Sequence, residues 1–361
     1  MDRRSFLKNS ALGGTAAAAT TLAAPAYAQG NRTLTMVTSV PDGFAVFDDA
    51  AVKFTELVNA MADGELTIEK KAAGQLVGAF EVFDAVSSGQ ADMYHSADYY
   101  FGGQHPGLYF FTAVPFGATG GEMASWYYHG GGKELHHEVG DIFGLKSFIC
   151  GNTGHQPGGW FNKEINTAAD LQGLKFRMPG LGGLALGRTG ASVQNVPGGE
   201  IYQALASGAI DGAEWIGPFA DERLGFQEIC PYYYTGGMHE PGSALTCGVN
   251  LDVFNELSPA HQTIVETAAA ATHQWSLSQS NYNNGAALER LKAQGVKVLE
   301  FSDEIWDAFG TAAAEALDEF MDDELFARIR ASQEAAVAAT YAWTSVSDDV
   351  FTAQRGRVRA G

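Results

Sequence analysis

Hydrophobic residues along this chain follow two alternating spacings. Segment 34–40 is rich in apolar and β-branched residues and predicts a strand, and Phe47, Phe54, Val58 and Met61 then recur at helical spacing. Further strands are predicted at 66–70, 145–150, 174–178, 244–250 and 296–301. Helical patterns or glycine-rich turns separate these segments, so the pattern predicts an α/β protein.

One internal repeat stands out. Segment 81–92 (EVFDAVSSGQAD) resembles segment 200–211 (EIYQALASGAID). In each copy a short helix is predicted to end at a glycine, Gly89 or Gly208, before the chain turns into a strand. If the copies lie in two facing lobes, a ligand would bind beyond the strand ends at 95–96 and 214–215. Coincidental use of a common helix stop is the alternative interpretation.

The C-terminal third of the chain is predicted to be helical. Ser258 is a suitable N-cap and Pro259 a suitable first residue for a helix that reaches about Ala293, long enough to brace two lobes. Beyond Ser302, apolar residues again recur at helical spacing on an acidic background, which leaves open whether this tail packs on its own body or on a partner. These residues are Ile305, Phe309, Leu317, Phe320, Phe326 and Ile329.

The N-terminus carries an export pattern. Arg3, Arg4 and Lys8 precede a short run of small apolar residues that ends in the sequence Ala-Tyr-Ala at 26–28. This pattern predicts a cleaved twin-arginine signal at 1–28 and hence a periplasmic location. An uncleaved membrane anchor is disfavoured, because a span needs about 20 strongly apolar residues.

The length of 361 residues exceeds what one core usually fills, so more than one domain is expected. We predict a first lobe at 29–150, a second lobe at 151–243, a return strand with a long bracing helix at 244–301, and a helical tail at 302–361.

Charge and cysteine content narrow the function classes. The formal net charge is −20, which disfavours binding to nucleic acids or anionic membranes. Cys150, Cys230 and Cys247 are too few and too widely spaced for a disulfide scaffold. We expect them to be buried as small apolar residues, with one Cys230–Cys247 disulfide as the alternative.

Motifs of common enzymes are missing from the sequence, which contains no G-x-S-x-G, H-E-x-x-H or P-loop pattern. Segment 180–185 (GLGGLA) imitates a dinucleotide fingerprint, and Glu200 lies 20 residues on. Glu200 opens a helix, however, whereas an acid that binds ribose ends a strand. We therefore expect the glycines to present free N–H groups at a helix start, which favours a nearby carboxylate.

Arg177 is the single arginine of the predicted strand 174–178, and its neighbours in the sequence are apolar. A buried guanidinium needs an anionic partner, and its donors match both oxygens of a carboxylate. The partner could be a ligand carboxylate or a structural carboxylate of the protein, and the residues alone do not choose between them.

Several segments together resemble the DctP-type solute-binding subunits of TRAP transporters, and within them the 2-oxo acid receptor branch. They are GNTGHQPGGW at 151–160, DLQGLKFRMPGLGG at 170–183, PGGEIY at 197–202, GAIDGAEW at 208–215 and HEPG at 239–242. The resemblance covers nearly the whole chain after residue 28. It implies a two-lobed periplasmic binding protein with mixed sheets and a hinge, which delivers its ligand to membrane permease subunits and performs no catalysis.

The resemblance also implies a site. Arg177 would pair with the carboxylate of a 2-oxo or 2-hydroxy monocarboxylate such as pyruvate. A cation would bind the side-chain oxygens of Gln156 and Glu214 and the main-chain oxygen of Trp215. These hard oxygen donors suit Na⁺, with Ca²⁺ as the alternative.

Three further features bear on this site. Glu240 is expected near the ligand, where its charge would balance Ca²⁺; a solvated loop acid is the alternative. Tyr99, Tyr100 and Trp160 are candidates for the pocket wall, although aromatic residues at such places are often plain core.

Members of this branch can form homodimers by exchanging a C-terminal helix, and the amphipathic tail is compatible with that.

Two other functions stay open from the sequence. One is a receptor of the same fold for a larger ligand, such as a polyol or an aromatic acid. The other is an exported enzyme that folds around a cofactor before export.

Overall fold

The computed structural model describes residues 31–360, so the predicted export signal lies outside the described residues. The strands are β1 (Arg32–Thr38), β2 (Leu66–Lys71), β3 (Met93–Ser96), β4 (Leu145–Asn152), β5 (Gly159–Phe161), β6 (Lys175–Arg177), β7 (Ser192–Gln194), β8 (Gly212–Ala213), β9 (Tyr232–Thr235), β10 (Ala244–Asn250) and β11 (Lys297–Glu300). The α-helices are α1 (Phe47–Met61), α2 (Val82–Ser87), α3 (Gly120–His129), α4 (Gly132–Ile142), α5 (Gly180–Arg188), α6 (Ile201–Ala206), α7 (Pro218–Leu224), α8 (Leu251–Glu256), α9 (Pro259–Ala293), α10 (Asp303–Asp318), α11 (Glu324–Thr344) and α12 (Asp348–Ala360). Short 3-10 helices lie at Asp98–Phe101, Pro106–Phe111, Ala168–Leu171, Gly198–Glu200 and Phe226–Glu228.

Two mixed sheets organise these elements. The first has the order β2-β1-β3-β10-β4, in which β10 runs antiparallel to both of its neighbours. The second has the order β11-β9-β5-β8-β6-β7, in which β5 runs antiparallel to both β8 and β9. The predicted α/β class is therefore confirmed. The lobe boundaries at 150 and 243 stay predictions.

All six strands predicted from apolar segments are present, with bounds within two residues of those expected. The patterns missed β5, β7 and β9. β5 and β7 contain only three residues each, and alternation cannot be recognised over so short a length. β9 is a run of three tyrosines and a threonine without alternation.

The repeat predicted from the sequence is a real structural unit. Both copies form a short helix, α2 or α6, that is followed by a glycine with positive φ: 79° at Gly89 and 71° at Gly208. Each then enters a strand, β3 in the first sheet and β8 in the second. The two copies thus bring equivalent strand ends to the two halves of the molecule.

The helix α9 contacts both halves, as expected for a brace. Ser258 caps it by accepting a hydrogen bond from the His261 N–H. On the side of the first sheet, the hydroxyl of Ser276 accepts the N–H of Asn152 at the end of β4 (2.7 Å). On the other side, Asn284 accepts the N–H of Phe219 in α7 (3.1 Å).

The tail packs on its own body over most of its length. Ile305, Phe309, Phe326 and Ile329 are buried, and α10 packs against α5 whereas α11 packs against α3. Beyond Val337 the large apolar side chains become exposed. The exposed ones are Tyr341, Trp343, Val346, Val350, Phe351 and Val358.

The three cysteines are free thiols in the core, as expected. Cys150 and Cys247 lie in the cluster beside the first sheet, whereas Cys230 lies in another cluster, so the alternative Cys230–Cys247 disulfide is wrong. Among residues 31–360, no helix has the length and apolar character that crossing a bilayer demands.

Candidate functional site

The site begins where two neighbouring parallel strands of the second sheet end. Arg177 is the last residue of β6 and lies opposite Ala213 in β8, so Glu214 follows directly at the same edge. The N–H of Glu214 donates to the carbonyl of Arg177 (3.3 Å). Parallel strands thereby bring two charged side chains together that are 37 residues apart in the chain.

Arg177 and Glu214 form a buried ion pair, with both side chains 1% exposed. Nη1 of Arg177 donates to Glu214 Oε1, and Nε donates to the carbonyl of Val196 (3.0 Å). The indole ring of Trp215 lies against the guanidinium, with its centroid 5.3 Å from Cζ. Nη2 forms one long hydrogen bond of 3.4 Å, to the hydroxyl of Tyr100.

The pKa values of this pair reflect burial. Burial raises the pKa of Glu214 to about 7, although Arg177 beside it acts in the opposite direction. Burial lowers the pKa of Arg177, but the neighbouring carboxylate and tyrosines more than offset this, and the net pKa lies above its ordinary value. The structural ion pair, one of the two alternatives left open for Arg177, is thus present, and its partner is a predicted cation ligand.

Gln156 lies in the loop after β4 and is buried. Its N–H donates to the carbonyl of Glu240 (3.0 Å), and its side-chain nitrogen donates to the hydroxyl of Thr153 (3.1 Å). The amide nitrogen is therefore used within the protein, whereas Oε1 has no hydrogen-bond partner. Gln156 thus presents a free oxygen.

Glu240 is also buried, so the interpretation as a solvated loop acid is wrong. Its Oε2 accepts a hydrogen bond from Ser243, and its Oε1 has no partner. Burial raises the pKa of Glu240 to about 7, and the negative charge of Glu214 adds to this. A second carboxyl with a free oxygen therefore belongs to the site.

His239 is the residue that the sequence analysis missed. Its Nε2 lies 3.4 Å from Oε2 of Glu214, without the geometry of a hydrogen bond, and neither ring nitrogen has a partner. Burial lowers the pKa of His239 to about 4, so the ring is neutral at pH 7. The only signal was its place before Glu240 in the H-E-P-G segment.

Ligand atoms of Glu214, His239 and Glu240 lie within 4.8 Å of one another. Together with Gln156 Oε1, these groups include three buried oxygens without a protein partner. Buried polar atoms in folded proteins almost always have a partner, so this concentration indicates a bound species. Carboxylate and amide oxygens fit a hard cation such as Na⁺ or Ca²⁺.

A small cavity lies between the two halves at this place. It has about 10 Å³ of room for the centre of a water-sized molecule, about the minimum for one water. Its wall consists of Phe47, Ala97, Tyr99, Tyr100, Thr112, Thr153, Gln156, Trp215, Ile216, Glu240, Ser243 and Leu245. Four of the predicted site residues, Tyr100, Gln156, Trp215 and Glu240, therefore share one cavity wall.

The three candidate aromatic residues have different places. Tyr99 and Tyr100 line the cavity with their rings 4.7 Å apart, whereas Trp160 is fully buried in the core. Its indole N–H donates to Asp221 (3.0 Å). Trp160 is thus core, the alternative stated for it above.

Comparison with known proteins decides the family. Residues 36–324 match the family model DctP, described as bacterial extracellular solute-binding protein, family 7. The chain belongs to this family. Members of the DctP family are extracellular binding proteins that serve transport rather than enzymes, and the mixed α/β, two-lobed fold expected above is confirmed.

Three relatives are described as binding 2-oxo acids or as holding bound pyruvate. The chain is 40% identical to the monocarboxylate 2-oxoacid-binding periplasmic protein of Nostoc sp. over 87% of this chain and 86% of that one. It is 40% identical to a TRAP periplasmic solute-binding protein of Pseudoalteromonas atlantica with bound sodium and pyruvate, with a TM-score of 0.86 over 89% of this chain and 98% of the other. It is also 40% identical to one of Colwellia psychrerythraea with bound calcium and pyruvate, with a TM-score of 0.87 over 90% and 99%.

The buried ion pair leads to a prediction about stability. Arg177→Met and Glu214→Gln should each lower the free energy of unfolding by about 3–5 kcal/mol, because each leaves the other partner buried without its counter-ion. The double variant should lose clearly less than the sum of the two, since it leaves no charge alone. Urea denaturation at pH 8 in ligand-free buffer measures the free energy of unfolding of the wild type, the two single variants and the double variant.

The same four denaturation measurements, repeated at pH 5.5, supply the control. The folded pKa of Glu214, about 7, lies above its ordinary 4.5, so the stability that the protonated carboxyl contributes is lost as the pH rises from about 4.5 to about 7. At pH 5.5 Glu214 is mostly protonated in the folded protein, and the charged pair is then largely absent. The coupling should therefore shrink at pH 5.5. Additive losses at pH 8 would contradict the ion pair.

Proposed function

We propose that this chain is the solute-binding subunit of a TRAP transporter and binds a small 2-oxo or 2-hydroxy monocarboxylate, such as pyruvate, together with a cation. The observation that carries the proposal is the group of three unpartnered buried oxygens beside the buried guanidinium of Arg177. Relatives 40% identical to this chain bind pyruvate with sodium or with calcium. The protein binds and releases its ligand without changing any covalent bond.

The cation would bind Gln156 Oε1, Glu214 Oε2 and the main-chain oxygen of Trp215. When bound, it would supply a positive charge that chelates the ligand carboxylate and its 2-oxygen. This chelation would select acids with oxygen at the second carbon. The charges of Arg177, Glu214, a monocarboxylate and Na⁺ sum to zero. With Ca²⁺ in place of Na⁺, the negative charge of ionised Glu240 would offset the additional positive charge.

The ligand carboxylate would bind the Nη2 side of Arg177. That nitrogen has the weakest contact of the guanidinium, the 3.4 Å hydrogen bond to Tyr100. A carboxylate could replace or share this contact and gain a charge-assisted hydrogen bond. Tyr100 would then donate its hydroxyl hydrogen to the ligand, and Glu240 would line the opposite side near the 2-oxygen.

The cavity as it stands is too small for any of the candidate ligands. With about 10 Å³ for the centres of water-sized molecules, the site is nearly closed. Even pyruvate would need the two halves to separate for entry. We therefore propose that the lobes, divided near 150 and 243, open and close about a hinge.

The remaining parts of the proposal concern the cell. The twin-arginine pattern at 1–28 supports export to the periplasm, and the Nostoc relative is described as periplasmic. The partner there would be the membrane permease subunits, which receive the ligand. The dinucleotide fingerprint at 180–185 lies in the helix α5, and Glu200 ends no strand but precedes the helix α6, so the enzyme hypothesis gains no support.

A ligand screen tests this proposal. Pyruvate, lactate and longer 2-oxo acids should raise the melting temperature only when Na⁺ or Ca²⁺ is present. At a ligand concentration of about 100 times the dissociation constant, the free energy of unfolding should rise by about 2.7 kcal/mol, because the ligand binds only the folded state. Differential scanning fluorimetry after removal of cations by a chelator and dialysis measures the shift.

Two variants sharpen the screen. Arg177→Met should abolish the shift, whereas Arg188→Met, which removes an arginine paired with Glu319 at the surface, should leave it unchanged. A shift with polyols that survives Arg177→Met would favour the larger neutral ligand. Absorbance above 300 nm from a bound cofactor would favour the enzyme.

We also propose that the chain forms a homodimer through its C-terminal helix. The helix α12 exposes Val350, Phe351 and Val358, and an apolar groove of about 420 Å³ lies between α10 and α11. Exposed apolar surface of this kind indicates an interaction site. The α12 helix of a second copy would fill this groove.

Phe351→Glu should therefore convert a dimer to a monomer, because a carboxylate cannot enter an apolar groove without loss of hydration. Thr352→Glu, about 100° around the same helix, is the matched control and should stay dimeric. Light scattering during size-exclusion chromatography gives both masses. A monomeric wild-type chain at high concentration would refute the dimer and leave the ligand proposal intact.

A further inference from the structure

Asp221 is a fully buried carboxylate whose hydrogen-bond donors among the described residues are all uncharged. It lies in the first turn of α7, and four neutral donors surround it. Oδ2 accepts the indole N–H of Trp160 (3.0 Å) and the hydroxyl of Tyr233 (3.0 Å). Oδ1 accepts the main-chain N–H groups of Ile216 (3.1 Å) and Gly217 (2.9 Å).

One of these bonds controls a peptide unit of the candidate site. The N–H of Ile216 and the carbonyl of Trp215 belong to the same peptide, which is planar and trans. In such a unit the C=O points away from the N–H. A carboxylate that holds the N–H therefore fixes the direction of the Trp215 oxygen, which must point away from Asp221.

A Trp215 oxygen that points away from Asp221 would suit a cation bound at the cavity. Trp160 and Tyr233, which donate to the carboxylate, do not line the cavity, whereas Trp215 and Ile216 line it with Gln156. The negative charge at the N–H end also polarises the peptide and makes its carbonyl a stronger donor to a cation. Hydrogen bonds of this kind orient metal ligands in many proteins.

The other contacts of Asp221 hold the loop rigidly. Trp160 lies in β5 and Tyr233 in β9, so the carboxylate connects residues 216–217 to two central strands of the second sheet. On the far side, Asn284 of the long helix accepts the N–H of Phe219 (3.1 Å). The peptide is thus held before any ligand arrives.

We propose that Asp221 is a positioning residue that presets the Trp215 carbonyl as a cation ligand. The inference rests on the proposed function, because the role of the Trp215 oxygen is part of that proposal. Asp221 touches neither cation nor acid in this scheme, and it acts through the peptide alone.

The experiment compares wild type, Asp221→Asn and Phe226→Leu. Phe226 is buried in the same core cluster and packs on Trp160, but it makes no hydrogen bond to Asp221, so its variant lowers stability while keeping the four donors of Asp221 in the chain. At saturating pyruvate, Asp221→Asn should weaken Ca²⁺ or Na⁺ binding by about 10–100-fold. Phe226→Leu should melt at a lower temperature with unchanged cation affinity. Isothermal titration calorimetry with chelator-treated protein gives the affinities.

Amide hydrogen exchange on cation-free protein gives a second readout that needs no ligand. The N–H groups of Ile216 and Gly217 should exchange slowly in wild type and fast in Asp221→Asn, since their acceptor is weakened. Rapid exchange of both in wild type would overturn the inference, even if the variant fails to fold.

The outcomes separate the two proposals. Wild type without any cation-dependent binding of pyruvate would overturn the proposed function and this inference with it. Normal binding in wild type and an equal cation affinity in Asp221→Asn would overturn the role of Asp221 alone.

Discussion

The structure depends on one constraint, which is that charged groups removed from water must be neutralised or fully hydrogen-bonded within a few ångströms. Arg177 and Glu214 meet this constraint for each other only in part, because Oε2 of Glu214 has no partner and Nη2 of Arg177 has a single long hydrogen bond. Gln156 and Glu240 add further oxygens that are buried and unpaired. A buried cluster of this composition costs stability unless other charges complete it. A cation and a small carboxylate are the simplest pair that does so.

The fold creates this incomplete cluster by bringing strand ends together. Arg177 and Glu214 follow adjacent parallel strands, whereas Tyr99 and Tyr100 follow β3 in the other sheet. The H-E-P-G segment immediately before β10 supplies Glu240, so the connection between the halves itself carries a site residue. The long helix α9 holds both sides without entering the cavity wall. Rigid elements thus surround a site whose own polar groups are unsatisfied.

Sequence patterns predicted the elements well where they are long and regular. The strand Ala244–Asn250 and the helix Pro259–Ala293 have the expected bounds, because alternating or capped segments of that length carry a clear signal. Resemblance brought Gln156, Glu214 and Glu240 to one place, but the residues alone could not choose Glu214 as the partner of Arg177. His239 and Asp221 were missed because their roles come from tertiary contacts. The ring of His239 lies beside Glu214, and the carboxylate of Asp221 accepts the N–H groups of residues 216 and 217.

The most direct test of the central claim is a crystal structure grown with pyruvate and Ca²⁺, with diffraction data that record the anomalous scattering of calcium. The account predicts one anomalous peak at about 2.3–2.6 Å from Gln156 Oε1, Glu214 Oε2 and the Trp215 carbonyl. The pyruvate carboxylate should lie between this peak and the guanidinium of Arg177. A structure with pyruvate bound away from Arg177, or without a peak among these oxygens, would contradict it.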